Sequence, residues 1–169
     1  MEKIKVSQDF LYKYLQEHNI TTVSIARMMG VSESIVGGSF RHALNRHGKP
    51  LKFSKANIEK LNLAIHQIAN ELRDGVITFG SDRTFTNQRG ITYDPGTMVA
   101  IDKIANYFNM KDFAQRVLGW NKGKRDMVLS VKSSPVYGNV SQADVDRINA
   151  ELLSVAGVLS SYEVVPECE

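Results

Sequence analysis

Between residues 40 and 55 the chain carries five basic side chains, Arg41, Arg46, Lys49, Lys52 and Lys55, together with His42 and His47, and no acid. A local run of cations without carboxylates is either a solvated face or a surface for a polyanion, and nucleic-acid phosphates are such a polyanion. A second basic group, Lys122, Lys124 and Arg125, is followed at once by Asp126 and is partly neutralised. Over the whole chain the excess is mild, 21 Lys and Arg against 18 Asp and Glu, and net charge alone does not indicate a nucleic-acid partner.

Catalysis would need other constellations. No nucleophile stands with a base, and no set of residues has metal-ligand spacing. His42 and His47 are off the i, i+4 spacing of a helical metal pair and sit among cations that repel a metal; His66, beside Gln67, reads as solvent-exposed. GKPLKFSK at residues 48–55 lacks the spacing of a phosphate loop. The expectation is a non-enzyme with no catalytic residues, no metal, no cofactor and no small-molecule ligand. Cys168 is the only cysteine, which excludes an internal disulfide and fits a reducing compartment. Residues 1–9 contain no apolar signal core, and no stretch approaches the roughly 18 apolar residues of a membrane span. A cytoplasmic protein without a membrane partner is expected.

The elements that would position these side chains follow from caps and apolar spacing. With 169 residues and 43% hydrophobic content, the chain can bury one large or two small cores. Ser7 opens a helix with Phe10, Leu11, Tyr14 and Leu15 on one stripe, ending near Asn19. Thr21 or Thr22 caps a second, carrying Val23, Ile25, Ala26 and Met29 to Gly30; Ser32 caps a third, through Ile35, Val36 and Phe40. Ser54 opens a long helix with Ile58, Leu61, Ile65, Ile68 and Leu72, and Phe53 and Ile58 are spaced as a hydrophobic staple. Glycines and Pro95 punctuate β-prone pieces at 76–79 and 90–93, which read as a linker over residues 76–96 with a small hairpin. Helices are expected at 97–108, 111–118, 121–129 and 141–159.

That order repeats the first half. Residues 54–72 and 141–159 align without gaps over 19 positions, with Ser54/Ser141, Ala56/Ala143, Asn62/Asn149, Ala69/Ala156 and Leu72/Leu159 identical. Gly30 and Gly119 each end a short helix upstream. Any two amphipathic helices share apolar spacing, but the matched caps, charges and glycines favour duplication. The expected fold is mainly α: an N-terminal domain at 1–75, the linker, and a C-terminal domain at 97–169.

TVSIARMMGVSESIVGGSF, residues 22–40, resembles the helix-turn-helix of phage repressors and Cro proteins, the lambda-repressor-like family, with Ala26 as the small crossing residue, Gly30 as the turn glycine and Ile25, Met29, Val31 and Val36 as buried positions. The late apolar position falls on Ser39, with Phe40 one residue on, and Gly37 with Gly38 weakens the second helix by about 1 kcal/mol each. That helix is then short, distorted or ordered only on DNA; alternatively, the glycines admit close approach to a sugar-phosphate chain. The resemblance implies a transcriptional regulator of double-stranded DNA. Ser32, Glu33, Ser34, Gly37, Gly38 and Arg41 would form the exposed reading face, with Glu33 accepting from cytosine and Arg41 pairing with guanine. Thr22, His42, Arg46, Lys49 and Lys52 would meet phosphates. DFAQRVLGWNKGKRDMVLS, residues 112–130, is similar to the same motif, with Asn121, Lys122, Lys124 and Arg125 after its turn. It is either a second reader or a degenerate copy used for packing or for a homodimer, with Trp120 in the core. The rival reading is a protein-interaction or antitoxin-like module that kept the fold without reading DNA.

Overall fold

In the computed structural model, residues 2–74, 85–86, 92–93, 106–121 and 142–166 are described, and they are mainly helical. The elements are β1 (Ile4–Val6), α1 (Gln8–Glu17), α2 (Thr22–Met29), α3 (Glu33–Phe40), α4 (Lys55–Asp74), β2 (Phe85–Thr86), β3 (Thr92–Tyr93), α5 (Met110–Phe113), α6 (Gln142–Ser161) and β4 (Tyr162–Val164). Two compact units result. One is Met1–Glu71 with Val155–Glu169, the other Leu72–Ser154, so the end of α6 and β4 belong with the N-terminal helices rather than with residues 97–154.

In the N-terminal unit each helix starts at a side-chain oxygen. Ser7 accepts from the Phe10 amide (3.1 Å), Thr21 from Ser24 (3.2 Å), Ser32 from Ile35 (3.4 Å) and Ser54 from Asn57 (3.2 Å). Each such cap contributes about 1 kcal/mol relative to alanine. The first three helices stop alike, with one residue turned left-handed: Asn19 (φ 63°), Gly30 (φ 72°) and His42 (φ 52°). Beyond each, an amide reaches back to a carbonyl of the last turn: Ile20 to Leu15 (2.9 Å), Val31 to Ala26 (3.1 Å) and Ala43 to Gly38 (2.9 Å). These bonds satisfy carbonyls that the helices leave unpaired.

Leu11, Leu15, Ile25, Val36, Leu61, Ile65 and Ile68 are fully buried and form the core of this unit, and Phe53 and Ile58 are both buried at the start of α4. Phe40 stacks on Tyr12 (centroids 4.9 Å, 10° apart) and meets the edge of Phe53 (4.9 Å). β1 and β4 pair in parallel, Ile4 opposite Tyr162 and Val6 opposite Val164. Helix α4 closes the other edge of β4. Asn62 donates to the Val164 carbonyl (2.9 Å) and accepts from the Val164 amide (2.7 Å), while the His66 ring meets the Tyr162 carbonyl (2.7 Å). A polar side chain thus substitutes for a third strand, which keeps β4 paired on both sides. His66, expected in solvent, is half-buried for this reason.

In the second unit, Asn109 caps α5, which runs into a wide π turn at Ala114–Leu118 and ends at Gly119 (φ 68°). The Trp120 amide closes that turn on the Ala114 carbonyl (3.3 Å), and the Trp120 ring is buried. Of the expected helix at 97–108, residues 97–105 lie outside the described residues, and residues 106–108 are a turn and a bridge rather than helix. Strand 76–79 and helix 121–129 also fall outside them, apart from Asn121, which is not helical. Phe85–Thr86 pairs antiparallel with Thr92–Tyr93, so of the two expected β-prone pieces the one at 90–93 supplies a strand, and its partner is 85–86. Helices α4 and α6 are each 20 residues long and keep the register of the sequence alignment from end to end. Leu61 and Ile148, Ile65 and Leu152, Ile68 and Val155, and Leu72 and Leu159 are buried at matching positions.

Candidate nucleic-acid interface

Helix α3 is one turn beyond α2 and presents its N-terminal end. Ser32, Glu33, Ser34 and Ile35 are exposed, and the chain surfaces again at Arg41; Val36 to Phe40 are buried. The face expected from the sequence therefore needs correcting at Gly37 and Gly38, which are covered. A Cβ at Gly38 would lie 3.1 Å from Leu51 Cδ1, because the following loop packs against the helix there. A Cβ at Gly37 would lie 2.6 Å from Glu33 Oε1 and 2.9 Å from Arg41 Nη1, because both side chains fold over the bare backbone. Two glycines do not break α3, which is regular from Glu33 to Phe40. Ser39 occupies the late buried position beside Phe40, and its carbonyl accepts from the buried Gln8 amide (2.9 Å), tying α3 to α1.

The basic segment is a hairpin. Leu44 and Pro50 form an antiparallel bridge, the Leu51 amide donates to Ala43 O (2.8 Å) and the Asn45 amide to Lys49 O (2.8 Å). Asn45 Oδ1 organises the tip by accepting from the amides of His47 (2.8 Å) and Lys49 (3.1 Å), and Gly48 takes φ 73°. Asn followed three residues later by Gly is the signature of a type I turn closed by a left-handed residue, and that signal was present in the sequence. The hairpin leaves directly from the C-terminal end of α3 and carries Arg46, His47 and Lys49, all exposed. Arg46 Nε donates to His47 Nε2 (3.3 Å). Among the described residues neither Arg46 nor Lys49 is in ion-pair contact with a carboxylate.

Of the other expected phosphate contacts, Thr22 starts α2 and its hydroxyl donates to Glu33 Oε1 (2.9 Å). His42 stands between the Leu51 carbonyl (Nδ1, 3.2 Å) and Asp9 Oδ1 (Nε2, 2.8 Å). Both partners accept hydrogen bonds, so the ring serves both at once only as an imidazolium, which ties α1 to the root of the hairpin. Lys52 is exposed and lines a cavity of about 210 Å³ with Gln8, Phe53 and Lys55 at the start of α4, apart from the hairpin tip. In the second unit, Asn121 is exposed after Trp120, while Lys122, Lys124 and Arg125 lie outside the described residues. Two arginines of that unit are engaged within it: Arg116 pairs with Glu151 (2.8 Å), and Arg147 donates to Leu118 O (3.4 Å) beside Asp144 (3.7 Å).

Among the described residues no three His, Cys, Asp or Glu side chains are grouped to hold a metal, and no helix is long and apolar enough to cross a membrane. No family model, no curated protein and no solved structure matches the chain, which leaves its function to be read from its own chemistry.

Proposed function

We propose that the chain is a sequence-specific double-stranded DNA-binding protein, a transcriptional regulator of phage-repressor type in which α2 and α3 are the helix-turn-helix. The observation that carries this reading is the hairpin at residues 43–51, which sets Arg46, His47 and Lys49 beside the C-terminal end of α3 with no acid anywhere from residue 40 to 55. In this arrangement Ser32, Glu33, Ser34 and Arg41 face base edges, and the hairpin cations meet phosphates. Titration of the full chain with labelled duplex at about 50 to 200 mM salt tests it, since each phosphate contact steepens the logarithmic salt slope by about 0.9. A flat slope overturns it.

Residues 112–130 are the proposed second reader, with Asn121, Lys122, Lys124 and Arg125 on it, so that one chain covers two half-sites about 34 Å apart without forming a homodimer. Alanine at Lys122, Lys124 and Arg125 then shortens the protected footprint by one half-site. An unchanged footprint assigns the second copy to packing or self-association. One observation favours a protein-interaction module instead: Val23, Ile35 and Leu44 are exposed apolar side chains on α2, α3 and the hairpin. Salt-insensitive binding to a protein, with no duplex affinity, would decide for it.

A further inference from the structure

Glu33, Gly37 and Arg41 occupy positions i, i+4 and i+8 of α3 and its cap, one above another on a single face. The acid and the base converge on the same point. Glu33 Oε1 lies 2.6 Å, and Arg41 Nη1 and Nη2 lie 2.9 and 3.2 Å, from where a Cβ of residue 37 would stand. Glu33 is held there through its first oxygen by the Thr22 hydroxyl (2.9 Å). Among the described residues no partner is hydrogen-bonded to its second oxygen, and no carboxylate is in ion-pair contact with Arg41.

The two glycines of α3 have different explanations. At Gly38 a Cβ would press on another element, and Leu51, 3.1 Å from that position, would have to give by a few tenths of an ångström. Gly37 differs. Its φ is not positive, and the three atoms nearest its Cβ position are the ends of two flexible side chains, so the backbone would accept alanine there. Alanine would also suit the helix better. What alanine would remove is the shared space in which Glu33 and Arg41 meet.

We propose that Glu33 and Arg41, converging over the buried Gly37, form one notch that reads a single C·G base pair in the major groove, with Gly37 as the positioning residue that leaves room for both. This rests on the DNA-binding reading. A C·G pair presents a cytosine amino donor next to the two acceptors of guanine, and a carboxylate oxygen beside a guanidinium fork is the complementary pattern. An A·T pair places the thymine carbonyl and methyl where the carboxylate needs a donor. Thr22 acts as a positioning residue, fixing the carboxylate from the start of α2.

Site selection by the full-length protein from random duplexes tests the proposal, followed by titration of the selected duplex and its single-pair variants. The wild-type protein is expected to prefer C·G over A·T at one position by about tenfold or more. Gly37→Ala is expected to melt no lower than wild type by circular dichroism and to lose most of that preference. Arg41→Lys, at an exposed position that keeps its charge but lacks the fork, is expected to lose the same preference. A wild-type protein that binds no duplex overturns the DNA-binding reading and the notch with it. A wild-type protein that selects a site, with Gly37→Ala and Arg41→Lys selecting the same site equally well, overturns the notch alone.

Discussion

The chain makes one backbone device twice and surrounds it differently. At Gly30 and at Gly119 a short helix ends in a left-handed glycine, and the 20-residue helices α4 and α6 that follow begin one residue after the aligned Ser54 and Ser141. After Gly30 come an exposed helix end and a hairpin whose Arg46 and Lys49 have no carboxylate partner among the described residues. Around Gly119 the side chains turn inward: Trp120 is buried, Arg116 pairs with Glu151, and Arg147 reaches Leu118 O. A left-handed turn therefore carries no function by itself. Among the described residues, what differs is the partners of nearby cations: Arg46 and Lys49 have no carboxylate in ion-pair contact, whereas Arg116 has Glu151 and Arg147 has Asp144.

The largest expected effect is on the anchor of the first region. Phe40 is 2% exposed and held between two rings, and Phe40→Ala should cost about 3 to 5 kcal/mol in denaturant unfolding followed by circular dichroism. A loss below about 1 kcal/mol would mean that the hairpin end of α3 is not seated on a fixed core. Next is the charge contrast. Alanine at Arg46 and Lys49 together should weaken all duplexes alike, on the order of 10-fold or more at low salt, and reduce the salt slope by about 2. The same loss from Arg116→Ala would erase the distinction between open and satisfied cations.

The aligned asparagines sharpen the comparison further. Asn62 makes two bonds to β4, so Asn62→Ala should cost about 1 to 3 kcal/mol by thermal or denaturant unfolding. Asn149→Ala in the same experiment measures the aligned position on α6. Equal losses would show that the duplicated helix keeps its polar anchor in both copies. The smallest expected effect is an equality. Nothing lies within 4 Å of a Cβ built at Gly30 or at Gly119, so alanine at either should cost about 1 to 2 kcal/mol from backbone strain alone. A much larger loss at one of them would reveal packing that the two turns do not share.

What the sequence made legible was local. Ser7, Ser32, Ser54 and the left-handed Gly30 and Gly119 obey short-range steric and hydrogen-bonding rules, and apolar spacing placed α1 to α4 and α6 to within a few residues. What failed needed knowledge of a distant neighbour. The repressor resemblance implied an exposed Gly38, but Leu51 lies over it; His66 looked exposed, but the Tyr162 carbonyl, 96 residues away in sequence, meets its ring. β1 and β4 are three residues each and too short to signal a pairing, and nothing in residues 114–118 distinguishes a π turn from an α one. At the candidate site, residue types were readable but their engagements were not: Thr22 turns to Glu33, and His42 to Asp9 and Leu51.

The parallel pairing of β1 with β4 imposes an order of events on synthesis. Roughly 155 residues separate β1 from β4, so at ribosomal speeds of ~5–20 residues per second β1 waits on the order of 8 to 30 s for its partner. During that interval the Val6 carbonyl, which will accept from the Val165 amide, and the Asn62 amide, which will hold Val164, have only water to bind. A nascent chain interrupted after α4 is released with an open strand edge, the kind of edge that recruits strands from neighbouring chains.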